Sequence, residues 1–309
     1  MMSITERMRI RGLCILAGLL AGQPAAALAA EPTQGWRVID DVGRTLVLAH
    51  PARRVISLAP ASTAMIFAAG GGAQVVGTAE FSVEPEAARR IARIGDAHGF
   101  DLERILKLHP DVVVAWSGGA SAAQLAPLER AGLLVYRHQV ARLDDLAPAL
   151  LRLGVLLGTE GQARVAANAL EMRIRALRRQ YRTAMPRSLL IQVWDRPVYT
   201  VGGTQLISDV VAACGYRNLF ADLLDPGPAV ALEAVVERNP DAILVLAADA
   251  GSAREWLQHW QQLPALSAVH THQLFAFVDA RLSRLGPQVV DAAEELCRAL
   301  RAGPAPQAY

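Results

Sequence analysis

The sequence predicts an α/β protein made of two Rossmann-like lobes joined by one long helix. Three observations predict it. From Arg53 to about Leu300, apolar strand-like runs alternate with helical patterns, the mark of βαβ units around parallel sheets. The stretch Glu160 to Ala184 breaks that alternation, with no proline or glycine between Gln162 and Met185. Finally, one unit occurs twice: LERILKLHPDVVVAW from Leu102 to Trp116 and LEAVVERNPDAILVL from Leu232 to Leu246. Each copy reads Leu-Glu, five residues, a polar residue, Pro-Asp, then a buried apolar run.

At the amino terminus, Arg7, Arg9 and Arg11 precede the apolar stretch Leu13 to Leu20, and Ala27 and Ala29 follow at cleavage-like spacing. This is the pattern of a secretory signal peptide, too short to span a bilayer. Cys14 sits inside the apolar run, so no lipoprotein-type cysteine follows it. The expected organisation is a signal peptide over 1–29, a first lobe over 30–158, an interlobe helix over 159–185, a second lobe over 186–302 and a tail over 303–309.

In the first lobe, RRVISLAP reads as a strand ending in a turn proline. STAMIFAAG reads as a helix capped by Ser62 or Thr63 and stopped at Gly70. QVVGTAE is a second strand, and DLERILKLHP a helix capped by Asp101. DVVVAW, APLERAG and LLVYRH follow as strand, helix and strand. Continuous β-branched runs of this kind suit a parallel sheet buried on both faces. In the long helix, Ala166, Leu170, Ile174, Leu177 and Tyr181 keep helical spacing, and a helix of about 24 residues would span about 36 Å. The second lobe repeats the pattern: SLLIQVW a strand, TQLISDVVAACG a helix stopped at Gly215, LEAVVERNP a helix, DAILVLA and LFAFVD strands, and a last helix from about Pro287 to Leu300. Glu103 and Glu233 fall in the first turns of matching helices, where the helix dipole favours an anion.

Composition bounds the function. The chain has 309 residues, 52% of them apolar, enough for one large or two medium cores. The formal charge is +2, and the leader carries three arginines and one glutamate. The rest is near neutral, which argues against a nucleic-acid binder. No later segment has about 18 consecutive apolar residues, so no membrane span is expected after the leader. Cys214 and Cys297 remain beyond it. In an exported chain they read either as a disulfide or as two buried thiols. There is no G-x-S-x-G elbow, no H-E-x-x-H and no P-loop; VGGTQLISD lacks the phosphate-loop lysine.

RVISLAPASTAMIFAAG, LERILKLHPDVVVAWSGG, VAACGYRNLF, LEAVVERNPDAILVL and LGPQVVDAAEELCRAL together resemble the periplasmic substrate-binding proteins of the cobalamin, haem and siderophore group of ABC transporters. AWSGG and the cysteine pair are most similar to the cobalamin-binding branch. The resemblance covers about Arg53 to Leu300. It implies two α/β lobes around a rigid helix, with the ligand in the cleft between them. It also implies a periplasmic monomer, a Cys214–Cys297 bridge and a corrinoid as transported cargo rather than a cofactor. The implied partner is a membrane permease dimer with its ATPase subunits.

The branch holds its ligand with aromatic side chains from both lobes and a few polar groups. By position, Trp116 matches an aromatic contact and Phe81 stands where the family has Tyr. Arg284 matches a ligand-contacting arginine. Two family tryptophans are replaced, one at Ala97 beside His98 and one around Gly227. Trp194 and Tyr199, near a strand end, and Asp279 and Arg281 complete the candidate set. Glu103 and Glu233 match the glutamates that dock on permease arginines.

Two other readings stay open. Haem could occupy the same fold, with His98, then Tyr199, as axial ligand, and a ferric siderophore is a third possibility within it. His270 and His272 share a face if they lie on a strand, but lack the third ligand that zinc needs. A cell-envelope enzyme or a ligand sensor is the alternative of another class; an enzyme would need a nucleophile–base pair, and none stands out.

Overall fold

The computed structural model describes residues 35–96, 98–282 and 286–303. The predicted leader, most of the tail, Ala97 and Arg284 lie outside them. An antiparallel hairpin, β1 (Trp36–Ile39) and β2 (Thr45–Leu48), comes first. Asp40 tightens its turn by accepting the backbone N–H of Arg44 at 2.7 Å.

The first lobe runs β3 (Val55–Ser57), α1 (Pro60–Ala68), β4 (Val75–Thr78), the short pair β5 (Gly95–Asp96) and β6 (Gly99–Phe100), α2 (Leu102–Lys107), β7 (Val112–Trp116), α3 (Ala122–Arg130), β8 (Val135–His138) and α4 (Leu146–Leu157). The sheet order is β4-β3-β7-β8, all parallel. Then comes α5 (Glu160–Gln180). The second lobe runs β9 (Arg187–Gln192), β10 (Val198–Tyr199), α6 (Leu206–Ala213), β11 (Tyr216–Asn218), β12 (Ala229–Val230), α7 (Leu232–Arg238), β13 (Ala242–Val245), α8 (Ala250–Gln261), α9 (Ser267–His270), β14 (Leu274–Ala276) and α10 (Val289–Ala302). Its sheet order is β11-β9-β13-β14, again all parallel. Numbered by lobe, both sheets read 2-1-3-4. The repeated unit supplies the helix before, and the strand at, position three of each. Val112 to Ala115 and Ala242 to Val245 are fully buried, which is why those runs show no polar alternation.

The repeat also does the same local work in each lobe. His109 (φ 43) and Asn239 (φ 42) end α2 and α7 in the left-handed region, and the following proline cannot continue a helix. The aspartate then clamps the start of the central strand. Asp111 accepts the N–H groups of Arg53 and Arg54 at 2.8 and 2.9 Å. Asp241 accepts the N–H and the hydroxyl of Ser188, both at 2.7 Å.

The long helix buries Ala163, Ala167, Leu170, Ile174 and Leu177 and is about 31 Å long at 1.5 Å per residue. It is tied to both sides. Arg173 bonds Asp291 at 2.6 Å and Glu294 at 2.9 Å on α10, while Arg178 bonds Asp144 at 2.6 Å and Asp209 at 2.9 Å.

Local expectations are corrected in four places. The first helix opens at Pro60, with Ala59 as a cap that makes no side-chain bond. Pro60 therefore starts a helix rather than ending a strand, because proline's fixed φ suits the first helical turn. Ser62 and Thr63 lie inside the helix, both fully buried. The long helix stops at Gln180, where the Thr183 hydroxyl accepts the Met185 N–H at 3.2 Å and favours a turn. The last helix is shifted, running from Val289 to Ala302. His270 ends a helical turn and His272 follows at φ 55, so their spacing aligns nothing. The sequence reading also passed over α4 and α8.

Candidate functional site

The candidate residues gather where the parallel strands end. Trp116 is the last residue of β7, and Phe81 follows β4 by three positions. Trp194 lies two beyond β9 and Asp279 three beyond β14. Carboxyl ends of parallel strands are where open α/β sheets bind ligands.

In the first lobe, Phe81, Trp116, Pro60, Leu58, Asp96 and His98 line a cavity of ≈ 210 Å³. The indole of Trp116 lies against Gly118 and Gly119: a β-carbon added at Gly118 would stand 2.6 Å from the ring. The glycine pair is thus what lets the ring lie over the backbone at this mouth. Phe81 is 75% exposed and has φ 62, a costly conformation for a bulky residue. The turn holding it is braced. Arg93 donates to the carbonyls of Ala79 and Ser82 at 3.3 and 3.1 Å. Below, the Thr63 hydroxyl meets those of Ser57, Thr78 and Ser82 at 2.8, 2.8 and 3.2 Å. Four buried hydroxyls satisfying one another anchor the turn.

In the second lobe, Trp194 and Tyr199 face each other across a tight antiparallel bridge. The Tyr199 N–H donates to the Trp194 carbonyl at 3.1 Å. Trp194 is 59% exposed and packs edge-on to Trp256, with ring centroids 6.2 Å apart. Both tryptophans line a second cavity of ≈ 330 Å³ with Asp195, Arg196, Ser252 and Glu255. Buried Gln192 supports this wall: it accepts the Trp260 N–H at 2.6 Å and donates to the Trp194 carbonyl at 3.3 Å.

Where the lobes meet, Pro60, Ala64, Phe81 and Glu84 face Arg281 and Gln288 across a small hollow. Asp279 grips Arg281 with both oxygens at 2.5–3.0 Å, and Arg281 also bonds Glu295 at 2.6 Å. These bonds, those to Asp279 first, raise the Arg281 pKa, so it stays a fixed cation. The structure therefore places Asp279 as the partner of Arg281.

The other predicted positions lie away from this edge. Glu103 and Glu233 occupy the second positions of α2 and α7, and both are exposed. Cys214 and Cys297 are bridged, with α-carbons 4.8 Å apart. Cys214 is the C-cap of α6 rather than within it, and Cys297 lies in α10.

The sequence reading missed one cluster beside Trp116. Asp41 accepts the His138 ring Nδ1–H at 2.7 Å, the Gln139 N–H at 2.9 Å, the Arg152 guanidinium at 2.6 Å and the Tyr136 hydroxyl at 3.0 Å. Burial raises the Asp41 pKa, but the hydrogen bond and charge interaction with His138, then the hydrogen bonds from the Gln139 backbone and Arg152, outweigh it and hold the group below the ordinary carboxyl range. His138 pairs with Trp116 in the sheet. Three residues 97 and 111 positions apart give no local signal. Among the described residues there is no group of three metal-ligating side chains, and no helix long and apolar enough to cross a membrane.

The model of the periplasmic binding protein family matches residues 55–279. The chain belongs to the periplasmic binding protein family. It is 32% identical to the vitamin B12-binding protein of Vibrio cholerae over 251 residues, 81% of this chain and 90% of that one. It is 32% identical to the vitamin B12-binding protein of Yersinia pestis over 264 residues, 84% of this chain and 90% of that one. The crystal structure of the periplasmic vitamin B12 binding protein of Vibrio cholerae superposes with a TM-score of 0.73, covering 82% of this chain and 98% of that one at 32% identity. A periplasmic haem-binding protein of a Roseiflexus species gives a TM-score of 0.68 at 25% identity, covering 81% and 98%. As a member of this family the protein is periplasmic, and its two-lobed fold is that of these relatives.

Proposed function

We propose that the protein captures a cobalamin-type corrinoid between its lobes and delivers it, unchanged, to an ABC importer in the inner membrane. The observation that carries this reading is the set of aromatic rings at the strand ends of both sheets: exposed Phe81 and half-buried Trp116 from one lobe, exposed Trp194 and Tyr199 from the other. Phe81 and Trp194 are 75% and 59% exposed, which is costly unless something covers them. A corrin is large, mostly apolar and fringed with amides. Rigid rings bury such a ligand at low entropy cost, and a few polar groups orient it. Arg281, the Asp279 that holds it, and Arg284 are the proposed polar set. The vitamin B12-binding relatives, matched over four-fifths of the chain, favour corrinoid over haem. Glu103 and Glu233, one on each lobe, are the proposed contacts to the permease.

Calorimetry of the mature protein against cyanocobalamin, haemin and a ferric siderophore tests the reading. The expected result is one-to-one binding of cyanocobalamin with no turnover. Tight binding of haemin without corrinoid heat would overturn the ligand while leaving the family intact.

A further inference from the structure

Away from the strand ends, a hollow of ≈ 360 Å³ opens where α5 finishes. None of its described lining residues borders the cavities of Phe81, Trp116 and Trp194. Arg142, Arg178 and Arg182 line it, with Tyr181, Thr183 and Asp209. The three arginines come from different places in the chain. Arg142 follows β8 of the first lobe, Arg178 lies in the last turn of α5, and Arg182 stands just beyond that helix. Asp209 belongs to α6 of the second lobe. The hollow is therefore built from both lobes and the helix between them.

Among the described residues of this lining, Asp209 is the one carboxylate, and its oxygens are already in use. It accepts the Leu143 N–H at 2.8 Å and Arg178 at 2.9 Å, and pairs with Arg142 at 3.1 Å. Arg178 also bonds Asp144, at 2.6 Å. These bonds orient two guanidiniums without exhausting them, because each guanidinium carries five N–H donors. The backbone of Arg142 is held as well, its N–H donating to Asp145 at 2.8 Å. Arg182 is exposed and makes no hydrogen bond or ion pair among the described residues. A further cation, Arg301, lies over the Tyr181 ring, 5.5 Å from its centroid. The wall is thus positive and rich in unused donors. Guanidinium forks match the paired oxygens of phosphate, and a phosphate ester has enough terminal oxygens to meet more than one fork, where a carboxylate has only two. The volume falls within the range of small-molecule sites, about 300–1,000 Å³, so room remains beside Tyr181 for the organic part of an ester.

We propose that this hollow is a second binding site, one that takes the phosphate group of a phosphate ester. Arg142 and Arg182 grip the phosphate with their unused donors, and Arg178, held by Asp144 and Asp209, adds fixed positive charge behind them. The site is separate from the cleft and does not depend on which ligand the cleft holds.

A soluble ester and a lipid headgroup present the same chemistry, so the test offers both. The mature protein is titrated by calorimetry, in phosphate-free buffer, with glycerol 3-phosphate and with acetate. It is also sedimented with phosphatidylcholine vesicles, with and without phosphatidylglycerol. One-to-one binding of glycerol 3-phosphate, or sedimentation only with the phosphatidylglycerol vesicles, is the expected result, and which of the two occurs identifies the source. Arg142→Ala and Arg182→Ala should each weaken that binding on the order of tenfold, the loss of one charge-assisted contact. Arg182→Lys should recover only part of it, because an ammonium keeps the charge and loses the fork. Arg182 bonds nothing described, so its variants should unfold in urea at the wild-type midpoint. They should also bind cyanocobalamin as wild type does. Binding of neither phosphate probe, acetate binding as tightly as glycerol 3-phosphate, or binding that survives both alanine variants overturns the site. Each of these outcomes leaves the reading of the cleft untouched.

Discussion

The two lobes have the same sheet and close it in different ways. Each sheet reads 2-1-3-4, and in each a Leu-Glu helix, a left-handed polar residue and Pro-Asp lead into the third strand. An edge strand must be covered, since open N–H and C=O groups invite pairing with other chains. The first lobe covers β8 with the β1–β2 hairpin. Asp41 donates its N–H to the Arg137 carbonyl at 3.1 Å, and Arg44 reaches the Val135 carbonyl at 2.6 Å. The lock is ionic: Asp41 with His138 and Arg152. The second lobe secures β11 with a covalent lock, because Cys214, just before that strand, is bridged to Cys297 of α10. The comparison separates what the shared motif specifies, which is topology, from what each lobe adds to hold its edge and shape its half of the site.

The largest effect is expected from removing the covalent lock. The bridge joins positions 83 apart, and the chain-entropy model gives about 4.5 kcal/mol for a loop of that size. Cys214→Ala with Cys297→Ala should lower the stability measured by urea unfolding by about 2–5 kcal/mol. The loss should fall on the second lobe: amide exchange should speed in β11, α6 and α10 before β7 and β8. Uniform acceleration across both lobes would break the idea that each is locked separately.

The ionic lock is expected to contribute less and to depend on pH. Asp41→Asn should cost about 2–3 kcal/mol at pH 7, below the full price of a broken buried pair because Arg152 is 35% exposed and partly screened. Asp41 has its carboxyl pKa lowered on folding. Its stabilisation is therefore complete above the ordinary value of 3.8 and is lost as pH falls below it toward the folded pKa. Wild type should lose stability on acidification through that window, and Asp41→Asn should show a shallower fall. Equal slopes in the two proteins would remove Asp41 from the account. Because His138 is paired with Trp116 in the sheet, tryptophan fluorescence should report the same loosening.

How legible each lobe was in the sequence follows the same division. The third strands were legible because both faces are buried and the apolar runs are unbroken. The stop signals at His109 and Asn239 were legible because a polar residue before proline has a local meaning. The Asp101 cap was read correctly: its side chain accepts the Arg104 N–H at 2.9 Å. Thr63 was read as a cap because Ser and Thr favour that position. In the fold it meets Ser57, Thr78 and Ser82, partners 6, 15 and 19 residues away, and long-range hydrogen bonding overrode the local preference. Asp41, His138 and Arg152 failed to stand out for the same reason. Phe81 was legible as a ring by position, while its strained backbone was not, because no glycine or asparagine marks it. Trp256 was passed over because α8, which presents it behind Trp194, gave no start signal beyond Asp249.

The smallest change in the fold is expected from the pair that makes the lobes most alike. Glu103 and Glu233 are exposed and head equivalent helices. Glu103 lies only loosely near Lys107, at 4.0 Å, so neither the core nor the cavity depends on it. If the two are matched contacts for a two-fold permease, charge acts at the rim of an interface and governs orientation and association rate more than affinity. Glu103→Arg with Glu233→Arg should leave unfolding and corrinoid binding close to wild type. Association with the permease in liposomes should slow by on the order of tenfold or more at low salt. The deficit should shrink as salt screens the charges. The single reversals sharpen the comparison further. Equivalent lobes should give equal losses for Glu103→Arg and Glu233→Arg, while a defect confined to one would mean that the docking is one-sided. A double variant that transports normally would reduce the repeated glutamate to a favourable charge at a helix start.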